Sequence, residues 1–250
     1  MKDIRKVSRR SVRTERRLFL ADGPKAVAGA LGVAGCVVEV FTTPAAVGLV
    51  PAVPDGVPVT LVEDRALALL SDSVTPAGVV ALCRYVDRPL AHLLDGSPRL
   101  VAVCAEVRDP GNAGTVVRTA DAAGADAVVL AGDSVDLYNP KTLRASVGSA
   151  FHLPVAVEPD PAAAVDALRA AGLTVLATAA DGEVDLHHAG DLLARPTAWL
   201  FGNEAHGLPA ELAARADHRV RIPIHGRAES LNLATAAALC LYESARLHRS

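Results

Sequence analysis

Aromatic residues are scarce: Phe, Tyr and Trp make up 3% of the 250 residues. Any core must therefore be built from Ala, Val and Leu, and nucleobase recognition by a platform of many stacked rings is excluded. The four cysteines, Cys36, Cys83, Cys104 and Cys240, form no C-x-x-C pair. That spacing gives neither a zinc knuckle nor a disulfide framework, and apolar neighbours mark each as a small core residue. Eight histidines provide only one adjacent pair, His187-His188, and no H-x-x-x-H or H-E-x-x-H, so no metal is expected. The glycine-rich signatures of dinucleotide and phosphate binding, G-x-G-x-x-G and G-x-x-x-x-G-K-[ST], do not occur. Nor does the nucleophile elbow G-x-S-x-G. Oxidoreductase, NTPase and serine-hydrolase readings lose their main support. Long apolar runs are also missing. The uncharged stretch Ala26 to Val38 is too short to span a bilayer, and Asp22 interrupts the apolar residues that follow the basic start. A cytoplasmic protein, neither secreted nor membrane-bound, is expected.

What is present is a half-apolar chain, 51% hydrophobic, with an uneven charge. The formal net charge is −3, yet residues 1–17 hold eight basic side chains against Asp3 and Glu15. The remaining 17 basic and 26 acidic residues make the rest of the chain strongly acidic. Such asymmetry marks either a local contact with a polyanion, through Arg9, Arg10, Arg13, Arg16 and Arg17, or a solvated terminal arm.

Hydrophobic periodicity gives a basic helix near 8–20, a helix near 24–34, and strands near 37–42, 58–62 and 79–85. The stretch Pro44 to Pro58 reads as an irregular connection with one helical turn. A weak helix after Pro89 leads to Asp95-Gly96-Ser97-Pro98, the best boundary. This divides the chain into an N-terminal domain, 1–90, a linker, 91–98, and a C-terminal domain, 99–250. In the latter, strands near 100–107, 126–131, 153–157, 173–179, 197–201 and 218–224 alternate with helices near 112–124, 140–150, 161–171, 208–215 and 230–247. Alternation of this kind predicts an α/β fold with a mostly parallel sheet covered on both faces.

Ligands of open α/β sheets bind beyond the carboxyl ends of the strands. Three apolar runs end there in loops dense in glycine and polar residues. They are Arg108-Asp109-Pro110-Gly111-Asn112-Ala113-Gly114, Gly202-Asn203-Glu204-Ala205-His206-Gly207 and His225-Gly226-Arg227-Ala228-Glu229-Ser230-Leu231-Asn232. Taken singly, each is equally an ordinary turn, with Asn112 or Ser230 as a helix cap. Three at equivalent sheet ends favour a shared pocket. On the helix after the first loop, Val116, Val117, Ala120, Ala123 and Gly124 share a stripe. Arg118 lies roughly opposite, towards solvent, a site or a partner. From Leu231 to Leu241 nearly every residue is apolar or small, so the last helix is expected to be buried in its own core, in a subunit interface, or in both.

The run Asp109-Pro110-Gly111-Asn112-Ala113-Gly114-Thr115-Val116-Val117-Arg118-Thr119-Ala120 resembles the first motif of SpoU-type (SPOUT class, TrmH-like) RNA 2′-O-ribose methyltransferases. Leu200 to Leu208 and Ile222 to Leu233 resemble the second and third motifs. Lys141 and Arg144-Ala145-Ser146-Val147-Gly148 resemble the segment between the first two. The likeness covers about 99–247, while Phe19 to Pro24 resembles, more weakly, the family's ribosomal-protein-like substrate-binding domain. Ala205 and Asp22 stand where glycine and glutamate are usual.

The resemblance implies a C-terminal parallel-sheet SPOUT domain with a deep trefoil knot formed by the second and third motifs. It implies a small α/β RNA-binding domain in front. It also implies S-adenosylmethionine (AdoMet) as cofactor and a homodimer through the catalytic domain. By position, Thr178, Gly202, Ile222 and Leu231 would hold AdoMet, and Asn112, Arg118, Glu204, Ser230 and Asn232 would orient or catalyse. The expected reaction is ribose 2′-O-methylation of RNA, foremost of the large ribosomal subunit. Transfer RNA as the target, or a non-catalytic RNA-binding or ribosome assembly factor, are the alternatives.

Overall fold

In the computed structural model, which describes residues 2–249, the six apolar runs of the C-terminal half become strands of a seven-stranded parallel sheet. The chain divides into two units: 1–86 together with 136–152, and 87–135 together with 153–250.

The first unit holds a four-stranded sheet of β1 (Leu18–Asp22), β2 (Val37–Thr42), β3 (Val59–Leu61) and β4 (Val79–Arg84). Its order is β1-β4-β2-β3, with β3 alone parallel to its neighbour. β1 departs from the expectation of a helix over 8–20. The helix Arg10–Arg16 ends because Arg17 is left-handed, at φ 53°. Leu18 to Asp22 then pair with β4, and that ladder overrides the helical tendency of the arm. The helix Pro24–Leu31 and a 3-10 turn over Pro44–Leu49 lie where the sequence put them, whereas the short helix Asp64–Ala68 was missed.

Residues 136–152 carry the helices Pro140–Ser146 and Ser149–His152 and pack into this first unit. Tyr138 stacks on Tyr85 at a centroid distance of 3.7 Å, and Phe151 lies 6.1 Å from Phe19. Asp136 receives Nε and Nη2 of Arg13 at 2.9 and 2.8 Å. Arg13 also donates to the carbonyls of Val7 and Ser8 and is only 4% exposed. This corrects its grouping with the RNA-facing arginines. A buried cation needs its carboxylate and carbonyls and is not free for phosphate. Arg9, Arg10, Arg16 and Arg17 are exposed.

The second unit holds β5 (Leu100–Ala105), β6 (Ala127–Ala131), β7 (Val155–Glu158), β8 (Thr174–Thr178), β9 (Val184–Asp185), β10 (Thr197–Phe201) and β11 (His218–Arg221). The order is β7-β6-β5-β10-β8-β11-β9, every neighbouring pair parallel. β5, β6 and β10 are buried at every residue, as strands covered on both faces must be. The chain runs outward from β5 through β6 and β7, then returns to the other side. Late in the sequence, β10 inserts between β5 and β8. This reversal brings the carboxyl ends of β8, β10 and β11 together.

Helix Pro110–Ala123 buries Ala113, Val116, Val117, Ala120 and Ala123 and leaves Arg118 exposed, as its periodicity predicts. The last helix, Leu233–His248, packs on that helix and on β5 and β10. Its Ser244 hydroxyl accepts the indole N–H of the fully buried Trp199 at 2.9 Å. It is not buried all round within the chain: Leu239 is 43% and Tyr242 53% exposed. Among the described residues, no helix is long and apolar enough to cross a membrane.

Candidate active site

The first loop is built by its cap. Asp109, not Asn112, closes the helix: its carboxylate accepts from the Asn112 amide at 2.7 Å, with Pro110 in the first turn. The Asn112 side chain is thereby left for other work. The last helix is capped by Asn232, whose Oδ1 accepts from the amides of Ala234 and Thr235 at 2.9 and 3.3 Å. Ser230 is therefore not a cap either.

Glu204 joins the loops. Its Oε2 accepts from the Arg108 amide at 3.2 Å. Its Oε1 accepts from the Asp109 amide at 3.1 Å and from Asn112 Nδ2 at 3.2 Å. Asn112 Oδ1 in turn accepts from Asn232 Nδ2 at 3.0 Å. One hydrogen-bonded line thus runs from the loop after β10, through the loop after β5, to the start of the last helix.

The Gly202 loop is closed by Asn203 and Gly207, which exchange both backbone hydrogen bonds at 3.0 and 2.8 Å. A Cβ on Gly202 would lie 2.3–2.6 Å from backbone atoms of Gly207 and Leu208, so only glycine fits. Asn203 Nδ2 also donates to the carbonyl of Glu106 at 2.8 Å. Glu106 is itself left-handed, at φ 59°, and its carboxylate accepts from the Asp133 amide and from Arg108. Sequence reasoning passed over Asn203 and Glu106, though Asn203 stood between two chosen residues. Beneath, the Cys104 thiol is pushed up to about 12 by complete burial and by the nearby Glu204 charge.

Beside this line lies a cavity of about 340 Å³, bounded by Thr178 from β8, Gly202 after β10, and Ile222 and Leu231 beyond β11. All four residues expected at the cofactor line it, as do Glu204 and Ser230. Asn112 and Asn232 reach it through Glu204. Arg118 does not line it: it is exposed six residues beyond Asn112, or ~9 Å along the helix axis. Ala179, Ala180, Val220, Ile224, Leu233 and Ala236 also line it, unmarked in the sequence because small and apolar side chains there look like core.

The cavity suits a ligand with an apolar ring and a polar, positively charged end. Val220, Ile222, Ile224 and Leu231 form an apolar part, and Glu204 and Glu229 supply negative charge. Gly202, which packs directly against the backbone of Gly207 and Leu208, forms part of the wall. Those features fit AdoMet. Among the described residues, no group of three His, Cys, Asp or Glu is placed to hold a metal.

Residues 99–242 match the SpoU rRNA Methylase family, and residues 1–81 match the MRM3-like substrate binding domain. The chain belongs to the SpoU rRNA methylase family. It is an AdoMet-dependent RNA methyltransferase. The Bacillus subtilis 23S rRNA (guanosine(2553)-2′-O)-methyltransferase RlmP is 35% identical over 97% of this chain and 94% of its own length. A 23S rRNA (uridine(2479)-2′-O)-methyltransferase of Streptomyces viridochromogenes is 34% identical, covering 75% of this chain and 67% of its own. The AdoMet-bound rRNA methyltransferase of Sinorhizobium meliloti superposes with a TM-score of 0.87 at 36% identity, over 100% of this chain and 95% of that one.

Proposed function

We propose that the protein methylates a ribose 2′-hydroxyl of 23S rRNA, with residues 1–90 binding RNA and 99–250 performing catalysis. The carrying observation is the line Glu204–Asn112–Asn232 beside the cavity of Thr178, Gly202, Ile222 and Leu231. Coverage supports ribosomal RNA over transfer RNA. A neighbour described by 2′-OH methylation of C/U34 on tRNA covers 61% of this chain, whereas the rRNA methyltransferase of S. meliloti covers all of it.

AdoMet supplies an electrophilic methyl group on a sulfonium. The chain supplies position. Thr178, Gly202, Ile222 and Leu231 fix the donor, while Asn112, Asn232 and Ser230 orient the ribose, so that the reacting atoms meet in line. Glu204 holds the loop that presents Asn112. Arg118 grips the phosphate next to the acceptor and polarises the 2′-oxygen. It stays protonated, since a guanidinium does not act as a base near neutrality, and the hydroxyl proton leaves to water.

Arg118 lies outside the cavity of its own chain, and the last helix exposes Leu239 and Tyr242. Both facts favour a homodimer in which Arg118 serves the cavity of the second copy. The late entry of β10 between β5 and β8, followed by the last helix, supports a trefoil knot of the second and third motifs. The protein works in the cytoplasm, where ribosomal RNA is found.

The deciding experiment incubates the protein with radiolabelled AdoMet and 23S rRNA and maps the product by resistance to alkaline cleavage. A label on a base rather than a ribose would overturn the reading. Arg118→Lys keeps the charge and loses the planar fork; near-native turnover in that variant would remove the clamp.

A further inference from the structure

The first unit contains its own cavity, of about 240 Å³, apart from anything the methyl-transfer site uses. It is smaller than the roughly 300–1,000 Å³ of pockets for drug-sized ligands. That is the scale of a single planar ring system. Its apolar wall includes Leu20, Pro140 and Leu69, and Leu69 is 52% exposed. Its polar wall includes Asp22, at the end of β1, and Arg5 from the basic arm.

The two oxygens of Asp22 differ. Oδ2 accepts from the Ser71 hydroxyl at 2.6 Å, the Ser73 hydroxyl at 3.1 Å and the Asp72 amide at 3.3 Å. Oδ1 has no partner among the described residues. A carboxylate fixed through one oxygen leaves the other as a pre-oriented acceptor. The Arg5 side chain makes no ion pair or hydrogen bond among the described residues. Arg13, in the same wall, is consumed by Asp136.

We propose that this cavity takes one unstacked guanine of the RNA substrate, a site separate from the nucleotide that is methylated. The inference rests on the reading of the first unit as RNA-binding. Single-stranded RNA is read by splaying bases out and bonding their edges. Guanine presents adjacent N1–H and N2–H donors to an acceptor such as Asp22, and its O6 and N7 are the preferred acceptors for arginine. Adenine, cytosine and uracil each place a ring nitrogen or carbonyl acceptor beside their one donor, which the carboxylate repels. The exposed Leu69 covers one face of the ring.

The test uses the full-length protein and four probes, the 5′-monophosphates of guanosine, adenosine, cytidine and uridine, titrated by NMR or calorimetry. Guanosine monophosphate should bind at least about tenfold more tightly than uridine monophosphate. Asp22→Asn keeps an oxygen for Ser71 and Ser73 and should abolish the preference. Leu69→Glu, a change at an exposed position, should weaken the guanine nucleotide by about tenfold. AdoMet affinity should be unchanged in both. Equal binding of the four nucleotides, or an undiminished preference in Asp22→Asn, overturns the proposal. If that happens while a 23S rRNA fragment still binds with salt-dependent affinity, the guanine site falls and the RNA-binding reading stands. If the fragment does not bind, both fall.

Discussion

Asn232 and Asn112, 120 residues apart in sequence, share a hydrogen bond of 3.0 Å from Nδ2 of the first to Oδ1 of the second. The same Asn232 caps the last helix with its Oδ1, so one side chain divides two duties between two atoms. Asp at this position separates them. A carboxylate keeps the cap and gains ~0.3–1 kcal/mol from the positive end of the helix. It loses the donor and turns a negative oxygen towards Asn112 Oδ1, which cannot exchange roles because Asn112 Nδ2 is held by Glu204. Asn232→Asp should leave the melting temperature within about 3 °C of wild type. It should lower kcat/KM by about tenfold to a hundredfold, the ~1.4–2.7 kcal/mol of a lost and inverted bond. Asn232→Ala, which removes the cap as well, should also lower stability by ~1 kcal/mol. Thermal melting and steady-state methylation read both quantities, and a melting loss in Asn232→Asp as large as in Asn232→Ala would contradict the division.

Gly202 tests the cavity from the other side. An added Cβ meets the backbone of Gly207 and Leu208 at 2.3–2.6 Å, and backbone cannot rotate aside as a flexible side chain would. The loop must open, and with it the wall of the cavity. Gly202→Ala should weaken AdoMet binding by about a hundredfold, equivalent to ~2.7 kcal/mol. Gly226→Ala, where nothing lies within 4 Å, is the matched control and should bind AdoMet as wild type does. Calorimetric titration with AdoMet measures both.

Much of this arrangement was legible in the sequence. Every strand expected over 100–224 is present within a few residues, because buried parallel strands write long apolar runs that few other structures produce. The candidate site could be proposed from the sequence because its residues follow those runs in polar, glycine-rich loops. Other features were not legible. Cap identity depends on a single backbone geometry, so Asp109 and Asn112 could not be told apart until Asp109 was seen to accept the Asn112 amide. β9, two residues long, pairs only with β11 and has no periodicity to read. Arg13 shares its composition with the exposed arginines around it, and only the placement of Asp136, 123 residues later, makes it a buried residue.

That pair supports a stability prediction. Arg13 and Asp136 have side chains only 5% and 11% exposed. Removing one partner strands the other charge in a poorly hydrated place, at a cost of ~3–5 kcal/mol. Asp136→Asn should therefore destabilise the first unit strongly in urea unfolding. Arg13→Met combined with Asp136→Asn should cost less than the sum of the two single changes, since no buried charge remains. Strict additivity would show that the pair does not act as a unit. Because the segment 136–152 supplies Asp136, Tyr138 and Phe151, a fragment ending at the sequence boundary near residue 98 should fold poorly.

The exposed arginines of the arm make the opposite prediction. Arg9, Arg10, Arg16 and Arg17 are exposed, and the guanidinium carbon of Arg17 lies 4.7 Å over the Tyr85 ring. Contacts of this kind bind phosphate by releasing counterions, so each one lost should reduce the slope of log affinity against log salt by roughly 0.7–0.9. Arg9→Gln combined with Arg10→Gln should lower that slope by up to ~1.4–1.8 and weaken RNA binding most at low salt. AdoMet affinity and the melting temperature should not change, because neither side chain is buried. Titration of a labelled 23S rRNA fragment across a salt series gives the slope directly. An unchanged slope in the double variant would place the phosphate contacts elsewhere on the chain and leave the arm a solvated terminus.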